Sequence, residues 1–261
     1  MKNPKDKNDR NAHSKLFAPS SSSRWRVCPA SAVIGAYGEV IEQPPHPNTL
    51  RGTLCHNACE DVLRGSLTKV ADAIGRTLDG QKMDKILAEE GQGYVDYVRQ
   101  YMKQDPDAIL FIEVRLMFSV LIGAEAGEAF GAGDAIVVMP NLSKIAVIDL
   151  KTGKHAVKAE GNSQLLFYGA GALSWFGMFW SFDTVEMIIY QRRPSAWEVS
   201  REYVQDFING VRPAVRRIKQ AERIFIDTGT LPAGYYTPSN TACQWCRVFT
   251  CPHKSKEARK A

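Results

Sequence analysis

The sequence predicts a mixed α/β domain, and three observations predict it. Apolar residues recur at helical spacing on both sides of a β-rich middle; that middle divides into short strands separated by turn signals; and one more strand and a long helix follow an apolar helical run. Residues 1–22 are polar and run into "PSSSS", which predicts a flexible basic arm. A single domain is expected over 23–261, including a cysteine-rich stretch at about 240–253 and a short basic tail. "NTLRGTLCHNACEDVLRG" carries helical spacing between an Asn or Thr start and a Gly stop, which predicts a helix at about 49–64, and a second is expected over about 81–104. Then the period changes. "ILFIEVRLMF", "DAIVVM" and "KIAVIDL" read as a three-stranded meander broken by the glycine-rich "GAEAGEAFGAG" and by "PNLS". A helix over about 162–177, a strand at "TVEMIIYQRR" and a basic helix over about 198–226, kinked at Pro213, complete the order.

Composition bounds the function. Of 261 residues, 44% are hydrophobic and 23% charged, as in an ordinary soluble globular protein. The N-terminus "MKNPKDKNDRNAHSK" has no apolar stretch of a secretory signal, and "LLFYGAGALSWFGMFW" is too short and glycine-rich to span a bilayer. A cytoplasmic location without membrane attachment is therefore expected. In such a compartment the six cysteines serve metal binding or packing rather than disulfides. The net charge of +5 is modest but unevenly placed: both termini are basic, and Arg212, Arg216, Arg217, Lys219 and Arg223 recur at helical spacing. This distribution suits a polyanion, with Arg192, Arg216, Arg217 and Lys219 as candidate DNA contacts.

The acids of the meander carry the chemistry. If the hairpin turns between Asn141 and Leu142, Asp134 falls opposite Asp149, and like charges sharing a sheet face need a cation between them. Lys151, two residues after Asp149, shares its face; a divalent cation on the carboxylates compensates further, and Glu113 on the preceding strand is a third acid within reach. A cation so held lowers the pKa of a bound water and stabilises charge on a phosphate under attack. The alternative is that the two acids cap strand ends and Lys151 is a surface cation.

"GTLCHNACEDVL", "FIEV", "GAGDAIVV", "VIDLKTGK" and "QLLFY" occur in the order and approximate spacing of the PD-(D/E)XK nucleases, and the chain resembles their RecB-like and CRISPR-associated exonuclease branch over residues 28–251. The resemblance implies a restriction-endonuclease-like core, a central mixed sheet flanked by helices. It implies Mg2+ or Mn2+ held by His56, Asp134, Asp149 and the Leu150 carbonyl, with Lys151 as the active-site lysine and Gln164 and Tyr168 in the helix that follows. Glu60, one turn from His56, is placed to orient its imidazole.

Cys243, Cys246 and Cys251, spaced Cys-x2-Cys-x4-Cys, place three thiolates in one short stretch, and Cys28 completes a set of four suited to zinc or to a cluster. One N-terminal and three C-terminal cysteines resemble the [4Fe-4S] staple of the same branch, which ties the chain ends together; structural Zn2+ is the alternative. Cys55 and Cys59 are expected to be buried packing on the His56 helix. Three functions follow: a metal-dependent exonuclease acting on single-stranded DNA or duplex ends in phage or bacterial recombination and repair; a structure-selective endonuclease or end-trimming nuclease of the CRISPR-adaptation kind; and a non-catalytic DNA-binding module. A single-strand-binding or recombinase protein is the partner that the resemblance to small RecB-like nucleases implies.

Overall fold

The computed structural model describes residues 14–38, 44–244, 246–249 and 251–254. Two compact units emerge, one drawn from the ranges 1–41, 117–132 and 208–261 and the other from 42–116 and 133–207, where one domain over 23–261 is expected.

In the first unit, residues 14–22 are not a free arm. Leu16 and Phe17 are buried, Phe17 meets Trp25 edge-to-face at 5.5 Å, and the Trp25 Nε1–H donates to Ala18 O at 3.0 Å. Two aromatic rings and a leucine outweigh the polar composition around them; residues 1–13 lie outside the described residues. Two helices follow, α1 (Ser22–Trp25) and α2 (Pro29–Tyr37), the latter starting on a proline that has no N–H to leave unpaired.

The second unit opens with α3 (Pro47–Leu63), which buries Leu54, Cys55, Ala58, Cys59 and Val62 along one stripe. A small hairpin, β1 (Thr77–Leu78) and β2 (Gln81–Lys82), turns through Asp79 and Gly80, both at positive φ as an Asp-Gly hairpin turn requires. This hairpin, together with the Asp84 side chain that accepts from Leu87 N–H at 2.8 Å, delays the second predicted helix to α4 (Lys85–Met102).

A five-stranded sheet of order β3-β4-β5-β6-β7 forms the centre, from β3 (Ile109–Met117), β4 (Phe130–Met139), β5 (Lys144–Leu150), β6 (Thr184–Gln191) and β7 (Arg193–Ser200). A single turn of helix, α5 (Ser119–Ile122), lies between β3 and β4 and ends on Gly123 in the left-handed region. The β4–β5 hairpin has the register read from sequence, Ala135 facing Ile148 and Met139 facing Lys144. β5 and β6 run parallel, joined by α6 (Ser163–Phe176), and β7 returns antiparallel. α7 (Arg201–Thr228) continues through Pro213 as one helix, and α8 (Asn240–Gln244) lies in the cysteine-rich stretch. Among the described residues no helix is long and apolar enough to cross a membrane.

Alternation divides the sheet into two buried faces. Ala135, Val137, Ala146, Ile148 and Ile188 pack with α3 and α4, whereas Val185, on the other face of β6, meets α6 at Gly169. The fold is thus a mixed α/β arrangement, a central five-stranded sheet flanked by helices.

The α3–α4 contact depends on one glycine. A Cβ on Gly91 of α4 falls 2.9 Å from Cys59 Sγ, 3.0 Å from Cys55 Sγ and 3.1 Å from Val70 Cγ1. Those buried thiols face Leu87 O and Gly91 O, so they are packing groups at the helix interface, as expected of them. Gly91→Ala is expected to destabilise by about 1–2 kcal/mol, the cost of overpacking less the helix propensity gained. Gly35→Ala in α2, where nothing lies within 4 Å, should stabilise by about 0.5–1 kcal/mol. Urea midpoints of the two variants moving in the same direction would contradict this reading.

Candidate active site

The site stands at the C-terminal end of β5, where the strand delivers two charged side chains in three residues. Asp149 is buried, 2% exposed, and Lys151 Nζ lies 2.5 Å from its Oδ2. From the start of α6, Gln164 Nε2–H donates to Asp149 Oδ1 at 3.3 Å and to the Tyr168 hydroxyl at 3.1 Å. The Asn162 side chain caps α6 by accepting from the Gln164 and Leu165 amides, which fixes the helix end that presents Gln164. The polar pair at the start of an apolar helix therefore finds its partner in Asp149.

Asp134, which follows Gly133 on β4, has different partners. Its Oδ2 accepts from the Leu150 N–H at 2.7 Å, and its Oδ1 lies 3.3 Å from His56 Nδ1 on α3. Ligand atoms of His56, Glu113 and Asp134 come within 4.8 Å of one another, the one such group of histidine, cysteine and acid side chains among the described residues. The expected metal set was His56, Asp134, Asp149 and the Leu150 carbonyl. In the structure Glu113 joins His56 and Asp134, Asp149 faces Lys151 and Gln164, and Leu150 contributes its amide hydrogen.

Glu113 owes its position to backbone geometry. It sits at φ 53° in the middle of β3, in the left-handed region that a non-glycine residue occupies at a cost. An acid between Ile112 and Val114 was the one sequence signal for it. Glu60 lines the same small pocket, with Cys59, Tyr94, Ile112 and Leu150, and pairs with Arg64 at 2.7 Å. Arg64 also donates to Ile112 O at 2.8 Å, tying α3 to β3 beside Glu113, and Asp134 contacts His56 directly. Tyr94, fully buried, donates to Ile148 O at 3.4 Å and closes the pocket floor; no sequence pattern distinguished it from a core aromatic.

The charges are arranged in alternation. Burial disfavours a charged His56, but the adjoining Asp134 carboxylate overrides it and lifts the imidazole to about 9. Burial and then Asp134 push Glu113 up to about 7. Asp134 is held below the ordinary carboxylate range because His56 and Lys151 outweigh its burial, whereas burial raises Asp149. Lys151 stays protonated: burial works against the ammonium, and Asp149 and Asp134 more than offset it.

One imidazole nitrogen and two carboxylates within reach of a common point fit a hard, oxygen-preferring divalent ion. The two raised groups give metal binding a pH dependence. Glu113 is protonated up to about 7 instead of 4.5 and His56 up to about 9 instead of 6.5, so each stabilises the metal-free fold fully below its unfolded value and loses that contribution as pH rises through its folded one. A divalent ion needs both deprotonated. Addition of Mn2+ is therefore expected to raise the melting temperature more at pH 8.5 than at pH 6.0; an equal rise at both would show that the ion binds elsewhere.

The four cysteines gather in the first unit. Cys28, Cys243, Cys246 and Cys251 all line one small cavity of about 20 Å3, with Tyr236, His253 and Lys254. No three of their sulfurs close to within the 4.8 Å spacing of the acidic group. A tetrahedral zinc at about 2.3 Å from each sulfur would set them about 3.8 Å apart. The Thr237 N–H points to Cys28 Sγ at 3.5 Å, and Arg24 makes a side-chain hydrogen bond to Cys246.

The candidate DNA contacts separate. Lys219 is spent on acids, with Glu128 Oε1 at 2.5 Å and Glu222 Oε2 at 2.6 Å, and is 18% exposed, so its charge is not free for a phosphate. Arg192 pairs with Glu90 at 2.9 Å but stays exposed. Arg217 lies over the Tyr235 ring at 5.8 Å and donates to Gly234 O, and Arg216 beside it is exposed in an open groove with Pro213 and Gln220.

Two solved structures are similar at 14% identity. A protein from Eubacterium rectale provisionally described as an exonuclease has a TM-score of 0.45, with 85% of this chain and 88% of that chain covered. A protein named SSO0001 has a TM-score of 0.33, with 82% and 91% covered. Both scores are too low to bear on activity. A family model matches residues 13–261, which takes in the whole candidate site, and the chain therefore belongs to the family described as "Protein of unknown function (DUF2800)".

Proposed function

We propose that this chain is a metal-dependent nuclease of the PD-(D/E)XK kind, acting as a DNA exonuclease on single strands or duplex ends. The convergence of His56, Glu113 and Asp134 on one point, next to the Asp149–Lys151 pair, carries the reading. His56, Glu113 and Asp134 would hold Mg2+ or Mn2+, and the ion when bound supplies Lewis-acid stabilisation of phosphate charge and a more acidic water. Lys151, protonated in this setting, cannot take a proton from water; its ammonium donates hydrogen bonds, either to the attacking water's oxygen or to the scissile phosphate. Gln164 fixes the Asp149 carboxylate from the other side, so that the lysine is held at one point of the site. Tyr168 in turn buttresses Gln164.

For the cysteine cavity the reading is a structural [4Fe-4S] cluster. Four cysteines lining one cavity supply a full ligand set, and the resemblance to the iron-sulfur branch favours a cubane over a single zinc. The Thr237 N–H and Arg24 offset thiolate charge there. Cytoplasmic action in phage or bacterial recombination, beside a single-strand-binding or recombinase protein, belongs to the same proposal.

Purified protein with Mn2+ should shorten end-labelled linear DNA progressively and leave circular single strands intact. Cutting of circles at a similar rate would replace the exonuclease reading with an endonuclease one. Binding without cleavage in Mg2+, Mn2+, Ca2+ or Zn2+ would leave a binding module.

A further inference from the structure

Beyond the metal pocket, the segment that follows Lys151 has a construction that surface loops rarely need. Residues 152–158 carry Lys154, His155 and Lys158, all exposed, and none of the three side chains has a described hydrogen-bond or ion-pair partner. The backbone beneath them is nevertheless fastened. The Gln191 side chain at the end of β6 uses both halves of its amide: Nε2–H donates to Gly153 O and to His155 O, the latter at 3.0 Å, and Oε1 accepts from the Val157 N–H at 3.0 Å. Two residues past the β6–β7 turn, Ser195 Oγ accepts from the Ala159 N–H at 3.2 Å. The segment is thereby laid along that turn, which exposes a further cation, Arg193.

The location is as informative as the fastening. β5 and β6 are parallel, Leu150 beside Tyr190, and the Lys151 N–H donates to Tyr190 O at 2.9 Å, so the loop leaves the sheet where the catalytic pair does. Thr152 lies against Gly52 of α3, where an added Cβ would sit 3.2 Å from Thr152 Oγ1, one helical turn before His56. Glu160 is the one acid of the loop, and Glu90 nearby is already paired with Arg192. A solvated lysine loop gains nothing from being held by one glutamine at three points, whereas a loop that must present cations at fixed spacing does.

We propose that Lys154, Lys158 and Arg193 form a docking rim for the phosphodiester backbone on the strand flanking the scissile bond, with Gln191 as the residue that positions it. The rim rests on the nuclease reading for its purpose but not for its test. Binding of a labelled 20-nucleotide single-stranded DNA is measured against salt, without divalent ions, so that no cleavage occurs. Each phosphate neutralised contributes about 0.7 to the slope of log affinity against log salt on single strands, so Lys154→Ala/Lys158→Ala should lower the slope by about 1.4 and weaken binding about 25-fold at 0.1 M salt. Lys103→Ala, an exposed cation at the end of α4, should leave the slope unchanged. Gln191→Ala removes no charge: the slope should persist while affinity falls about fivefold, and the Val157 amide should exchange its hydrogen faster. A wild-type slope in the double lysine variant, or no DNA binding by the wild-type chain, would overturn the rim. Binding with the expected slopes but no cleavage in any metal would support the rim and remove the nuclease reading alone.

Discussion

Asp134→Asn is expected to cut Mn2+-dependent cleavage by about 10^3-fold or more while the chain stays folded, as loss of a charge that organises the reacting groups typically does. The isostere still offers an oxygen to the Leu150 N–H, which the carboxylate meets at 2.7 Å, but removes the charge beside His56 at 3.3 Å and from the group that would hold the ion. An independent readout exists in the same variant. Asp134 is what raises His56 against its burial, so the imidazole should titrate well below the value of about 9 it has in the parent chain, a change followed by NMR. Lys151→Ala should lose about 10^2- to 10^3-fold in rate with no downward shift of the His56 titration, since it removes a donor and a cation that opposes the imidazolium and leaves the Asp134 carboxylate. Cleavage within about tenfold of wild type in both variants would end the proposal that this constellation is catalytic.

The second large effect is expected at the cysteines. Cys246→Ser should strip the proposed cluster and lower the melting temperature by about 10 °C or more, because the binding free energy of a structural metal centre is folding free energy. Cys28 and Cys251 come from residues far apart in the chain yet line one cavity, so the loss should be felt by the whole first unit. Wild-type protein purified without oxygen should be brown, with iron and acid-labile sulfide at about four per chain, as a [4Fe-4S] cluster requires. Cys55→Ser, in the α3–α4 interface, should keep the colour. Colourless protein with one zinc per chain would establish the alternative, and metal-free protein of unchanged stability would discard both.

What the sequence revealed depended on how local the information was. The β4–β5 register followed from one turn position because a pleat of period two leaves only two choices, and burial of Ala135, Val137, Ala146 and Ile148 on one face selects between them. Asp149 and Lys151 were legible for the same reason. Glu113 was underweighted, because its place beside His56 depends on a backbone conformation at φ 53° that no residue type announces. β7 was missed because Arg192, Arg193 and Pro194 read as the end of a strand. Pro194 instead sits at the start of an edge strand, where the missing N–H costs little. The basic helix misled in part: composition counts Lys219 as a free cation, and only the fold brings Glu128, distant in sequence, to 2.5 Å from it. Residues 14–22 misled in the other direction, since Trp25 supplies the ring that makes Phe17 an anchor.

The alternation of charge in the site has a further consequence. Asp134 is matched by His56, Asp149 by Lys151, and Glu113 by its own proton below about 7. Emptied of its ion, such a pocket owes no charge to its surroundings, so the chain has a durable resting form. Loading is then an exchange, in which an incoming ion evicts protons, and dilution of the ion reverses it without unfolding. Under the nuclease proposal, that makes ion supply a throttle that can be closed and reopened on the same molecule.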